Sequence, residues 1–229
     1  MNFMIVSPFE NQCRRVFNRI TEEDKGDLVG DTQNTDQNSG QTFERFCLDR
    51  LIDEFNLKEM KDLSLREKRK ISPHATEKCT VYEGICKDGQ IVRVIDLPKS
   101  TPDFIIIYYN ENEPSVILFI ECKSIFSGSK VPKMNAGLNN PSKVHKTLYL
   151  VYKKNDNNSI IIRHGTQILS EKDAIKIKEL DFLITKAKEI NSTFDSIKFE
   201  PARRFEFTDP DEWVYSDEKE KDALDIFFP

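Results

Sequence analysis

The stretch DFIIIYYNENEPSVILFIECK, residues 103–123, decides the architecture. Two apolar runs flank the short polar segment from Asn110 to Pro114 and read as an antiparallel hairpin. Both runs are nearly continuous in apolar residues, as strands covered on two faces must be. Charges break the pattern only at the ends, with Asp103 at the entrance and Glu121 and Lys123 at the exit. Ionisable groups at the ends of buried strands cost free energy unless they are paired or bind an ion, which makes these three the candidate functional residues. Side-chain alternation sets Glu121 and Lys123 on one face and Cys122 on the other. Pairing across a five-residue turn, Asn110 to Pro114, places Asp103 opposite Glu121; a turn one residue shorter would place it opposite Cys122.

Upstream, CTVYEGICKDGQIVRVIDL from Cys79 carries two β-rich runs around Asp88-Gly89, a strong hairpin signal. Downstream, LYLVYKK and SIIIR read as two further strands. Helical spacing marks Pro8 to Ile20, with Ser7 as N-cap, and Thr42 to Asn56, with Phe43, Phe46, Cys47, Leu51, Ile52 and Phe55 on its buried side. A third helix is expected from Ser170 to Asn191, burying Ala174, Ile177, Leu180, Ile184 and Ala187. The polar stretch GDLVGDTQNTDQNSGQ before the second helix reads as a loop, and Lys58 to Lys70 as a charged helical or irregular connection. The expectation is an α/β (α+β) fold with a central mixed β-sheet flanked by helices. One domain spans 1–229: N-terminal helices over 1–57, a core with its loops over 79–190, and an acidic extension over 191–229 that contains Trp213.

Charged residues make up 32% of the chain and hydrophobic ones 38%, which suits a folded, water-soluble protein. No run approaches the ~20 apolar residues of a membrane span, and the first residues lack the basic leader of a secretory signal, so a cytoplasmic location is expected. Five scattered cysteines without a CxxC pair fit free thiols better than a disulfide framework or a zinc site. The net charge of −5 hides an uneven distribution, because the residues from Glu206 onward contribute −7 and leave +2 for the rest. From Cys122 to His164, eight Lys and Arg residues face the single acid Asp156, a balance suited to a polyanion.

Two carboxylates and a lysine at one sheet end suit phosphodiester hydrolysis. The carboxylate oxygens, a main-chain carbonyl and waters make a hard site for Mg²⁺, and the lysine orients or helps deprotonate the attacking water. Pro102-Asp103 and Glu121-Cys122-Lys123, with seventeen residues between the acids, resemble the motif of the PD-(D/E)XK nucleases, as seen in type II restriction endonucleases. The resemblance implies a restriction-endonuclease-like core in which Asp103, Glu121 and the Cys122 carbonyl hold Mg²⁺ and Lys123 assists attack. It also implies an acid on a preceding helix, for which Glu44 is the candidate; an acid near a helix N-terminus is equally favoured by the helix dipole.

The segment KVPKMNAGLNNP is similar to a loop that some restriction enzymes place against DNA. Candidate DNA contacts are Ser124, Ser127, Lys130, Lys133, Met134, Asn135, Asn139, Lys143, His145, Arg163 and His164, while His74 reads as an isolated histidine. The expected activity is Mg²⁺-dependent cleavage of double-stranded DNA at a short sequence by a homodimer, since one such site cuts one strand. The rivals are a structure-directed repair or recombination nuclease, a viral-type RNA endonuclease, and an inactive nucleic-acid-binding protein of the same fold.

Overall fold

The computed structural model describes residues 7–22, 28, 38–98, 100–125, 141–153, 159–191 and 222–228. Its centre is a seven-stranded sheet whose strands lie in chain order: β1 (Lys58–Glu59), β2 (Thr80–Ile85), β3 (Ile91–Asp96), β4 (Phe104–Asn110), β5 (Glu113–Ile125), β6 (Thr147–Lys153) and β7 (Ser159–His164). All neighbours are antiparallel except β5 and β6, which run parallel, so the sheet is mixed as expected. The parallel pair is separated by residues 126–146, the long crossover that parallel strands require.

Local chemistry sets the two hairpins. Between β2 and β3, Gly89 sits at φ +84°, and the Cys86 N–H donates to Gln90 O at 2.8 Å across the loop Lys87-Asp88-Gly89. That is the three-residue hairpin in which glycine supplies the left-handed residue. Between β4 and β5 the turn is only Glu111-Asn112, both at positive φ (50° and 73°), tighter than the five-residue turn expected from sequence. A β-bulge makes up the difference. Tyr109 pairs with Pro114 and Tyr108 with Val116, which leaves Ser115 as the extra residue, and from there the ladder runs regularly to Phe104 opposite Ile120. Without the bulge, the tight turn would slide β5 by one residue and turn every later side chain to the other face.

Helices cover both faces. On one lie α1 (Pro8–Glu22) and α2 (Asn38–Phe55), the latter starting four residues earlier than the apolar pattern indicates. Phe9, Phe17, Ile20, Phe43, Leu51 and Phe55 are fully buried there, against Val92, Phe104, Ile106, Leu118, Ile120, Leu148 and Leu150 of the sheet. Each such side chain contributes roughly 1.5–3 kcal/mol, which makes this the main core. Phe9 stacks on Tyr108 at 4.6 Å and Phe43 on Tyr152 at 5.5 Å. The charged connection Lys58 to Lys70 resolves into β1 and α3 (Leu65–Ile71), which a Ser64–Glu67 capping box starts. Leu63 and Ile71 pack with Ile95, Ile105 and Phe119 on the second face.

Farther along that face lie α4 (Pro141–Val144), α5 (Gly165–Ile168) and α6 (Glu171–Asn191), while α7 (Ala223–Phe227) joins the main core. In α6 only the N-terminal part of the expected buried stripe is covered. Ala174 and Ile177 are buried, Leu180 is 40% exposed, and Ile184 and Ala187 are half-buried. The covered part packs with Val144 of α4, Ile168 of α5 and Tyr149 and Val151 of β6. No helix among the described residues is long and apolar enough to cross a membrane.

Gly84 on β2 is where the end of α2 meets the sheet most closely, since a Cβ there would stand 2.3 Å from the Phe55 carbonyl oxygen. Gly84→Ala is expected to destabilise the fold by about 1–3 kcal/mol, read as a lower urea midpoint at unchanged m-value. An unchanged midpoint would show that α2 and β2 separate freely.

Candidate active site

The site is built where β4 ends and β5 continues. Continuing the ladder two residues past Phe104–Ile120 would set Pro102 against Cys122, and proline has no N–H to give to the Cys122 carbonyl. The backbone ladder stops, and a side chain takes its place: Asp103 Oδ2 accepts the Cys122 N–H at 2.7 Å, while the Asp103 N–H donates to Ile120 O at 3.0 Å. In an extended strand the N–H and C=O of one residue leave by the same edge, so the Cys122 carbonyl is directed to the Asp103 side, away from β6.

Alternation along β5 does the rest. Cys122 turns into the main core, and Glu121 and Lys123 share the opposite face, where β6 sets Tyr149 beside Glu121 and Val151 beside Lys123. Asp103 is 8% and Glu121 2% exposed. Lys123 Nζ donates to Glu121 Oε1, and the second oxygen, Oε2, is buried with no hydrogen-bond partner among the described residues. The structure therefore brings Asp103, Glu121, Lys123 and the Cys122 main chain together.

Glu44 joins them from α2. It is half-buried and lines, with Asp96, Asp103, Arg45 and Phe104, a cleft of about 290 Å³ at the sheet end. Asp96, the last residue of β3, is a site residue that sequence reading missed. Its signal was the one used for Asp103, an acid that closes an apolar strand, here IVRVID. Among the described residues no group of three or more His, Cys, Asp and Glu side chains is placed to hold a metal ion. The oxygens on offer near β5 are two carboxylates and a main-chain carbonyl.

Electrostatics follow from burial. Desolvation, with Glu121 adding to it, pushes the Asp103 carboxyl up to about 8 against the pull of Lys123. Burial also raises Glu121, with Lys123 opposing, and raises Glu44. Burial disfavours the Lys123 charge, but Glu121 and Asp103 outweigh it and hold the ammonium above the usual lysine range. Two acids are thus forced together with one cation between them, an arrangement that a further cation would relieve.

The candidate DNA contacts divide. Ser127, Lys130, Lys133, Met134, Asn135 and Asn139 lie outside the described residues, as does Trp213. Ser124 is on the Cys122 face, turned away from Lys123, with a buried Oγ that has no partner among the described residues. Arg163 on β7 stands opposite Tyr149, in the same cross-strand row as Glu121. Lys143 is beside the site, with Nζ on the Thr101 carbonyl. The two histidines each have a structural bond. His145 is bonded through Nε2 to Leu169 O at 2.8 Å, and His164 is 6% exposed and caps α5 through Nδ1, which contacts the Thr166 hydroxyl at 2.8 Å. One ring nitrogen of each thus serves the fold. His74 is not isolated either: its ring meets Phe119 edge-on at 5.9 Å, two residues before Glu121.

The pH dependence of stability carries the sign of Asp103. A carboxyl whose folded pKa is raised contributes stability that is full below the unfolded carboxylate range and is lost as pH rises through about 8. In metal-free buffer the wild type should melt at a lower temperature near pH 9 than near pH 6, and Asp103→Asn should narrow that difference. An equal difference in both proteins would mean that Asp103 is not held in its protonated form.

Compared with family models, curated proteins and solved structures, the chain matches none.

Proposed function

We propose that the chain is a Mg²⁺-dependent endodeoxyribonuclease of the PD-(D/E)XK kind, a cytoplasmic type II restriction enzyme that cuts a short specific duplex sequence as a homodimer. One observation carries the reading: among the described residues Glu121 Oε2 is buried with no hydrogen-bond partner in good geometry, beside the Asp103 carboxyl, while Lys123 occupies the other Glu121 oxygen and the Thr101 side chain adds a weaker pull on the group. An orphaned carboxylate oxygen in such a place is costly unless a cation fills the gap. The donors are all hard oxygens, the set Mg²⁺ selects, with waters completing the six positions.

Asp103 and Glu121 would hold the ion, with the Cys122 carbonyl as a third protein oxygen. When bound, Mg²⁺ polarises the scissile phosphate and acidifies a water. Lys123 contributes twice: by engaging Oε1 it fixes which Glu121 oxygen stays open, and as a held ammonium it orients the attacking water and offsets charge building on the phosphate. Its raised pKa favours that charged role over base catalysis. Glu44 faces the same group from the helix side. The basic segment from Lys123 to Arg163 supplies salt-dependent attraction for the phosphate backbone. Two sites related by a two-fold axis answer the need to cut both strands.

The test is cleavage of a mixed-sequence plasmid with Mg²⁺, with EDTA, and by two variants. Lys123→Ala and Asp103→Asn are expected to slow cutting by about 100-fold or more, and Asp103→Asn should still bind duplex DNA in Ca²⁺. Sequenced ends at one short site support a restriction enzyme, whereas ends at random sites point to a repair nuclease. Absence of metal-dependent cutting of any DNA overturns the proposal.

A further inference from the structure

Lys143 has no step in the proposed cleavage reaction, yet it touches the site from a direction of its own. Its Nζ donates to the Thr101 carbonyl, two residues before Asp103. Its ammonium also pulls the Glu121 carboxyl down, acting alongside Lys123. The root of the side chain is held firmly. Lys143 O accepts the Thr147 hydroxyl at 2.8 Å and the Lys146 N–H at 3.1 Å, which ties α4 to the start of β6. Val144 is 1% exposed, and its carbonyl packs so tightly on Gly165 that a Cβ there would stand 1.7 Å from the oxygen. The head of Lys143 therefore bears on the catalytic segment from a platform with little room to move.

We propose that Lys143 is a positioning residue rather than a DNA contact: it holds Thr101-Pro102-Asp103 against β5. The inference rests on the nuclease reading. The geometry motivates it, since the Lys143 ammonium is bonded to the Thr101 carbonyl while its own main-chain carbonyl is held by Thr147 and Lys146. A charge-assisted bond to the Thr101 carbonyl restrains the strand entrance where the backbone ladder has run out. Among the described groups that face Lys143 are Glu121 from β5, the Thr101 carbonyl from the β3–β4 connection, and His74 from the segment after α3. Burial and the Lys143 charge both lower the His74 pKa, so the imidazole does not compete for the site's negative charge at neutral pH.

The experiment compares wild type, Lys143→Met and Lys143→Arg in two assays: duplex binding in Ca²⁺ over a range of salt, and single-turnover cleavage in Mg²⁺. A thermal melt confirms that each variant is folded. Lys143→Met is expected to bind DNA within about twofold of wild type with the same salt slope, since no phosphate contact is lost. Its cleavage should fall roughly 10- to 100-fold, the usual effect of losing a group that orients metal ligands. Lys143→Arg should restore most of the rate. Weaker binding with a salt slope smaller by about one would make Lys143 a phosphate contact and overturn the proposal. A Lys143→Met enzyme with wild-type rate would overturn it as well. If wild type itself shows no metal-dependent cleavage, the nuclease reading fails, a result distinct from either of these.

Discussion

The 2.7 Å hydrogen bond from the Cys122 N–H to the Asp103 carboxylate is the constraint around which the site is arranged. A strand ladder must end somewhere, and the buried groups at its end still require partners. Here proline at 102 removes the donor that would have continued the ladder, and the neighbouring aspartate supplies the acceptor. One side chain thus closes the sheet and at the same time stands, largely buried, beside Glu121. The cost is a pair of carboxylates that burial and mutual repulsion both oppose. Lys123 relieves part of it directly, and Lys143 acts from α4.

This local tension persists because the surrounding packing determines where the strands go. The aromatic and aliphatic core beneath α1 and α2 fastens Phe104, Ile106, Leu118, Ile120 and Cys122 from one side. With those residues inward, alternation leaves Glu121 and Lys123 no choice of face. The same core orients α2, whose Phe43 and Cys47 point inward while Glu44 looks into the cleft at the sheet end. Hydrophobic burial of this size, several side chains at roughly 1.5–3 kcal/mol each, is large enough to hold a few strained polar groups in place. The bulge at Ser115 belongs to the same balance. A tight turn alone would misalign the strands, and the bulge returns the inward residues to the core.

Charge is distributed with similar economy. The overall excess of acid is concentrated toward the C-terminus, and the basic segment begins at Lys123. Within that segment the structure separates kinds of residue that look alike in sequence. His145 and His164 each commit one ring nitrogen, to a carbonyl and to a helix cap, Arg163 shares the cross-strand row of Glu121, and Lys143 serves the site itself.

The amino-acid sequence alone determined α1, α2, α6 and the six longer strands in their order, but not β1 or the short helices α4, α5 and α7. Apolar periodicity marks α1, α2 and the central strands, Asp88-Gly89 marks a hairpin, and strand-end charges mark Asp103, Glu121 and Lys123, because each of these signals acts over a few neighbouring residues. Even the alignment of Asp103 with the Glu121 end of β5 was anticipated, though by a different route, a five-residue turn in place of a two-residue turn and a bulge. Only the tertiary structure decided the rest. Asp96 joins Glu44 and Asp103 through strand pairing across the sheet, and Lys143 meets Thr101 from 42 residues away. In α6, Ala174 and Ile177 pack against α4, α5 and β6, while Phe182, Leu183 and Ile190 stay exposed. Such contacts depend on where separate elements come to rest against a shared core, and no local pattern of residues encodes the distance between them.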